Sequence, residues 1–401
     1  MANNNIATGS FLSIDTHQLQ ALVDALRSSG YRTVGPRIAD GAIVYADLAS
    51  TDQLPVGYID RQDGGLYRLE KADDAGHFDY VVGPHSLKNF LFPPRETLLE
   101  SIRKNGTWQM TPPEIDPTPL AVIGVRSCDL HALCVQDKVF LGGPYVDPAY
   151  KARRENLFLV AVNCRRASAT CFCHSMNTGP AVNQAFDLAL TEVNGRFVVE
   201  VGSQAGADMI AKTDWVPAPM HEVEAARAIS AALQEQMHQR DQLPYAQQQG
   251  TRQRFLDTAG IHDLLLSNLE HPRWTEVADR CLACGNCTLV CPTCFCASVE
   301  EVSDLSGDRV RRERAWDSCF TAEHSYMNTG TVRKTIASRY RQWLTHKLAT
   351  WIDQFGTSGC VGCGRCITWC PVAIDLTEEV AAIRSSSSGE ASGYPRTTAT
   401  P

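Results

Sequence analysis

Two stretches of this chain repeat one cysteine pattern, and that pattern constrains the fold more than any other feature. The first is Cys281-Leu-Ala-Cys284-Gly-Asn-Cys287-Thr-Leu-Val-Cys291-Pro292; the second is Cys360-Val-Gly-Cys363-Gly-Arg-Cys366-Ile-Thr-Trp-Cys370-Pro371. Three closely spaced thiols force a loop to wrap around one centre. The fourth, three residues on, falls at the start of a helix, where the following proline is tolerated because its missing N–H would be unpaired anyway. Gly285, Gly362 and Gly364 let the backbone come close to whatever the thiols hold and turn N–H groups toward the sulfurs.

Both runs fit C-x2-C-x2-C-x3-C-P, the spacing of the two-cluster bacterial ferredoxin run, in which the fourth cysteine of each run ligates the other run's cluster. The pattern therefore predicts one [4Fe-4S] cluster on Cys281, Cys284, Cys287 and Cys370, and a second on Cys360, Cys363, Cys366 and Cys291. The long insertion between the runs does not forbid the crossing, because loop-closure cost grows slowly with length. A pair of zinc sites is the bland alternative, but zinc ribbons pair two C-x2-C knuckles instead of three cysteines followed by C-P.

The chain holds 16 cysteines, and they are clustered. Cytosolic thiols stay reduced, so a disulfide framework is a poor explanation for a chain whose start, Met1 to Ser10, lacks a basic segment followed by an apolar run. Cys164, Cys171 and Cys173 form a second type of cluster, and Cys128 ends a predicted neighbouring strand. Together these four are expected to hold a third [4Fe-4S] cluster; a zinc site, a redox pair or buried thiols are the alternatives. Cys134 reads as a packed core cysteine. Cys294, Cys296 and Cys319 could bind a further metal or pack beside the ferredoxin-type clusters. The sequence Thr293-Cys294-Phe295-Cys296 repeats Thr170-Cys171-Phe172-Cys173, and nothing in the sequence explains the echo.

The expected fold class is α+β. An N-terminal α/β domain over residues 1–240 should lead through a linker at 241–251 to a mostly helical, two-[4Fe-4S] ferredoxin-like domain at 252–384, with a disordered tail at 385–401. Leu19, Leu22, Val23 and Leu26 recur at helical spacing, and Gly30 stops that helix. Ala42 to Tyr45, Tyr80 to Val82, Leu120 to Val125 and Leu157 to Val162 read as strands. Phe186 to Thr191 and Arg196 to Val201 flank Asn194-Gly195, a strong hairpin signal. Helices are expected near Glu96 to Ile102, from Glu222 to Gln239, and from Thr331 to Phe355. The basic residues Arg311, Arg312, Arg314, Arg333, Lys334, Arg339, Arg341 and Lys347 read as solvated faces; docking a partner, or offsetting the negative charge of reduced clusters, is the alternative.

Composition narrows the function further. Lys plus Arg number 37 and Asp plus Glu 45, giving a net charge of −8, whereas nucleic-acid binders carry a basic footprint. No stretch approaches the length of a membrane span. No nucleic-acid or membrane partner is expected, and the chain reads as soluble and cytoplasmic. No G-x-G-x-x-G opens a helix after a strand and no P-loop or nucleophile elbow appears, so no catalytic residue and no nucleotide site is assigned to this chain.

Leu91-Phe92-Pro93-Pro94-Arg95-Glu96, Gly124-Val125-Arg126-Ser127-Cys128-Asp129, Asn163-Cys164, Cys171-Phe172-Cys173-His174-Ser175-Met176 and the double cysteine run occur in that order. They resemble the beta, iron–sulfur subunit of the cytoplasmic NAD(P)-linked [NiFe] hydrogenases called sulfhydrogenases; the electron-transfer subunit of anaerobic sulfite reductase is similar. The resemblance spans roughly residues 80 to 375 and implies a heterotetrameric complex. A flavin subunit would handle NAD(P)H, and hydrogenase small and large subunits would carry electrons to a NiFe centre. This chain would relay electrons between them while H2 and NADP+ interconvert with NADPH and a proton, with sulfur reduction as a second activity. In the sulfite reductase reading the electrons would reach a sirohaem subunit instead. A zinc-stabilised adaptor and a stand-alone reductase with its own flavin are readings of other classes.

Overall fold

A computed structural model describes residues 6–116, 118–241 and 254–387. Twelve strands occupy the N-terminal half. They are β1 (Phe11–Asp15), β2 (Arg32–Ala39), β3 (Ala42–Asp47), β4 (Tyr58–Asp63), β5 (Leu66–Lys71), β6 (Arg95–Lys104), β7 (Thr107–Thr111), β8 (Leu120–Val125), β9 (Leu157–Val162), β10 (Leu188–Val193), β11 (Arg196–Val201) and β12 (Val216–Pro217). Eight of them form one sheet in the order β12-β1-β11-β10-β9-β8-β2-β3. Its centre is parallel, β10 against β9, β9 against β8 and β8 against β2, and its edges are antiparallel.

The apolar runs of β8 and β9 follow from this position. A central parallel strand is covered on both faces, so its residues need not alternate with polar ones. Ala121, Ile123, Phe158, Val160 and Val162 face one core, packed with Leu22 and Leu26 of the helix Leu19–Ser28. Val122, Val125, Leu159 and Ala161 face another, with Leu130 and Leu133 of the helix Ser127–Phe140. The hairpin between β10 and β11 turns at Asn194 and Gly195, both at positive φ (48° and 77°), as a type I′ turn requires. The expected helix at 222–239 runs over Met220–Asp241.

Several expectations need correction. The segment Glu96 to Ile102 is not helical; it lies inside β6, between β7 and the strand Arg309–Trp316. Its charges serve cross-strand pairing, with Arg95 on Glu313, Arg309 on Glu100 and Arg314 on Glu96, contacts no local propensity could announce. Tyr80 to Val82 is not a strand and pairs with none. Side chains satisfy its backbone instead: the Val81 N–H donates to Asp60, while Gln62 and Arg126 donate to the carbonyls of Val82 and Tyr80. The helix expected from Thr331 begins at Ile336, capped by Thr335. Helix Leu376–Ser387 enters the expected tail. Residues 388–401, and all of the expected linker except Asp241, lie outside the described residues.

The C-terminal half is helical around its cysteine loops, but it also carries a hairpin, β13 (Ala297–Ser303) and β14 (Arg309–Trp316). That hairpin joins β6 and β7 in one four-stranded sheet, β13-β14-β6-β7, so strand pairing ties the two halves together. A second tie is ionic. Arg365, inside the second cysteine run, and Asp129, just after β8, are each 1% exposed. The guanidinium donates to both Asp129 oxygens at 2.8 and 2.9 Å and to the carbonyls of Gly83 and His85 at 2.8 and 2.9 Å.

Replacing one partner of such a pair strands the other charge away from water, at a cost of about 3–5 kcal/mol. Asp129→Leu should therefore lower the thermal unfolding midpoint sharply, whereas Asp129→Leu combined with Arg365→Met should recover a large part of the loss. Calorimetry of the four members of this cycle checks the expectation.

Candidate metal centre

The first cysteine run begins where the helix Arg273–Ala278 ends, with the Cys281 N–H on the Val277 carbonyl at 3.0 Å. Gly285, at φ +79°, turns the chain into the short helix Asn286–Leu289. The loop lines a pocket of about 460 Å³, partly open to solvent, that contains Cys281, Cys284, Cys287 and, from the second run, Cys370. Phe320, Tyr340 and Trp343 close its inner wall. Backbone N–H groups already point at two of the sulfurs, from Ala283 to Cys281 at 3.4 Å and from Ile374 to Cys370 at 3.3 Å. Burial pushes the Cys287 thiol well up, and Cys370 and Cys281 beside it push it further.

The second run gathers Cys360, Cys363 and Cys366, and Cys291 of the first run lies among them: burial and then these neighbours raise the Cys366 thiol. The Gly362 N–H donates to Cys360 at 3.5 Å. Each run thus sends its fourth cysteine toward the other's loop. These donor sets suit iron–sulfur clusters, which take a thiolate at each iron corner. Among the described residues no group of three or more His, Cys, Asp or Glu is arranged to hold a single metal ion.

Lys347 does not lie on a solvated face. It is 5% exposed, turned inward where the helix Ile336–Thr345 passes through a π-type turn at His346–Thr350; such turns recur at functional sites. Its ammonium lies 3.2 Å from the Cys291 sulfur, 3.2 Å from Thr293 Oγ1, 3.5 Å from the Cys294 sulfur and 3.1 Å from the Gly359 carbonyl. Donation from the Cys294 thiol first, and then the Lys347 charge, hold the Cys291 thiol well below its ordinary range against its burial. Lys88 is also buried, donating to the Leu289 carbonyl at 3.0 Å and covering the Trp316 ring at 3.8 Å. Arg314 is largely enclosed and pairs with Glu96 and Asp147.

The four N-terminal cysteines come together at the carboxyl ends of β8 and β9. Cys128, Cys171 and Cys173 share one buried group with Val361 and Cys363 of the second run. Cys164 is partly exposed, near enough to Cys171 to raise its thiol, after burial, to about 12. Arg126 reaches toward the Cys164 sulfur at 3.7 Å. The repeated Thr-Cys-Phe-Cys segments now have a physical role, because they flank the same loop. Thr293 donates to the Gly359 carbonyl at 2.6 Å, Thr170 pairs with Thr368 at 2.9 Å, and the Phe172 N–H donates to the Gly362 carbonyl at 2.8 Å.

The comparisons with known proteins bear on this arrangement. A family model described as a 4Fe-4S dicluster domain matches residues 280–374. The beta subunit of sulfhydrogenase 2 from Pyrococcus furiosus is 31% identical over 322 residues, covering 79% of this chain and 89% of the relative. The chain belongs to the sulfhydrogenase beta-subunit family. It is an iron–sulfur protein of α+β architecture, and the dicluster match favours iron over zinc for the paired runs. No solved structure matches it. Sequence reasoning missed the buried cations Lys347, Lys88 and Arg365, because nothing in a basic residue's local sequence marks burial.

The glycines of the second run also have a use that spacing did not reveal: they let the N-terminal loop come close. A Cβ on Gly364, at φ +77°, would meet the Thr170 carbonyl at 2.4 Å. Gly364→Ala should push the 170–173 segment away at a cost of about 1–3 kcal/mol of backbone strain. The expected signs are a lowered unfolding midpoint and faster iron loss to a chelator; unchanged values of both would show that the segment yields freely.

Proposed function

We propose that this chain is the electron-transferring, non-catalytic iron–sulfur subunit of a cytoplasmic oxidoreductase complex, relaying electrons between a flavin subunit that handles NAD(P)H and the small subunit of a [NiFe] hydrogenase. The observation that carries the reading is the interleaving of the two runs: Cys370 lines the pocket of Cys281, Cys284 and Cys287, and Cys291 sits among Cys360, Cys363 and Cys366. Those eight residues are the ligands proposed for two [4Fe-4S] clusters. Cys128, Cys164, Cys171 and Cys173 are proposed for a third, against Cys363.

Clusters held there would accept and release single electrons. The chain's own part is to hold, shield and bias them. Thiolates fix each site, and the aromatic wall of Phe320, Tyr340 and Trp343 keeps water from the inner side of the first. The ammonium of Lys347 offsets negative charge beside Cys291, which favours the reduced state and raises the potential of that site. No helix among the described residues is long and apolar enough to cross a membrane, in keeping with a relay that meets its partners in solution.

Two clusters would give about eight irons per chain and three about twelve. Cys171→Ser should remove about four irons and the matching labile sulfide if the third site is loaded; an unchanged count removes Cys171 from the ligand set. The function itself is tested by anaerobic purification of the tagged chain from its source. Co-purification of flavin and nickel–iron subunits with hydrogen-dependent NADP+ reduction is expected, and Cys284→Ser should abolish that flow. A sirohaem subunit in their place would transfer the role to sulfite reduction.

A further inference from the structure

Three cysteines stand outside the proposed ligand sets of the C-terminal half, and the structure sorts them. Cys294 faces Cys291 and the Lys347 ammonium. Cys296 and Cys319 lie close enough for each thiol to perturb the other. They come together because β13 and β14 are paired: Ala297 opposes Trp316, and the Asp317 N–H donates to the Cys296 carbonyl at 3.0 Å. Both are partly exposed.

His324 completes the group. Its ring lies beside Cys296, close enough for each to shift the other, and its Nδ1 meets Asp317 Oδ2 at 2.6 Å. Asp317 is itself held, accepting from the Ser318 N–H at 2.6 Å and the Thr321 hydroxyl at 2.9 Å. A sulfur nucleophile, an imidazole on it and a carboxylate orienting the imidazole form the arrangement that activates a cysteine. The Cys319 hydrogen bond first, and His324 with it, hold the Cys296 thiol well below its ordinary range. The Cys296 and Asp317 contacts raise His324 to about 9, so the imidazole is charged at neutral pH. Directly after His324, a two-stranded turn of Tyr326–Met327 with Gly330–Thr331 leaves Tyr326 and Met327 exposed as an apolar lip.

We propose that Cys296 and Cys319 form a redox-active dithiol, activated by His324 and Asp317, that exchanges with small disulfides. The Cys296 thiolate attacks one sulfur of a disulfide R–S–S–R. A bond forms between Cys296 and that sulfur, the R–S–S–R bond breaks, and RS⁻ leaves. Cys319 then passes its proton to the departed RS⁻ and attacks the Cys296 sulfur, expelling the second RS⁻, which takes its proton from the His324 imidazolium. The two thiols are oxidised to one Cys296–Cys319 disulfide, and the substrate is reduced by the same two electrons to two thiols. A dithiol reductant reverses the exchange. None of this rests on the electron-relay reading.

The test uses the full-length, anaerobically purified chain with its iron in place. It is exposed to oxidised glutathione, quenched with an alkylating agent and mapped by mass spectrometry. One Cys296–Cys319 disulfide per chain is expected, with iron and labile sulfide unchanged and both thiols restored by dithiothreitol. Cys319→Ser should instead accumulate glutathione on Cys296, because the resolving thiol is gone. His324→Gln should slow the exchange by about 100-fold, the scale of a positioned acid–base group. The proposal is overturned if both thiols remain alkylatable in the wild-type chain, or if a Cys296→Ser or Cys319→Ser chain that keeps the wild-type unfolding midpoint holds less iron, which would make these residues cluster ligands. The wild-type mapping needs no variant, so a substitution that fails to fold leaves the test decisive.

Discussion

Arg365 lies between two cysteines of the second run, yet everything it binds belongs to the other half of the chain. Its four acceptors are the two oxygens of Asp129 and the carbonyls of Gly83 and His85. Burying a guanidinium is costly, and only a full set of well-placed acceptors offsets the lost hydration. The planar fork of arginine can meet a carboxylate with two parallel bonds; a lysine could not. The loop that presents Cys363 and Cys366 is thereby referenced to the carboxyl end of β8, which also presents Cys128. A shift of the sheet against the cysteine loops would break this network, so the relative placement of the thiol sets follows from one buried pair.

Around that anchor the interior carries further cations, at Lys347, Lys88 and Arg126. Each takes backbone carbonyls, and Lys347 and Arg126 also approach sulfur. Buried positive charge is tolerated where negative charge is delivered to the same region, and loaded thiolate sites deliver it. The thiols of Cys287 and Cys366 are pushed up by burial and by their cysteine neighbours, as expected of thiols gathered out of water. Donor spacing, N–H groups directed at sulfur and nearby ammonium charge all point to one kind of occupant.

Much of this was legible in the sequence because it is local. The cysteine spacing announces the loops, the uninterrupted apolar runs of β8 and β9 announce central parallel strands, and Asn194-Gly195 announces its hairpin. What was misread is non-local. Residues 96–102 alternate and cluster their apolar positions loosely enough to suit either period, and only β14, some two hundred residues later, settles them as a strand. The segment at Tyr80 reads as a strand because it is a short apolar run, but its backbone partners are the side chains of Asp60, Gln62 and Arg126. Lys347 belongs to a basic stretch that reads as a solvated face; the π-type turn that points it inward has no sequence signature. The Thr-Cys-Phe-Cys echo was visible but mute until both copies were seen to grip the loop of the second run.

The order of the thiol sets follows from adjacency. The first set meets the second where Cys287 and Cys291 influence each other, and the second meets the third where Cys363 packs with Cys128. The exposed thiol of the first set is Cys284, beside Leu282, and the partly exposed thiol of the third is Cys164. Cys291, Cys363 and Cys128 are buried where the sets adjoin, while Cys360 and Cys366 of the second set are partly exposed like Cys164. Sets that adjoin one another in this order suit the relay proposed above, because a single electron has to pass between neighbouring sites.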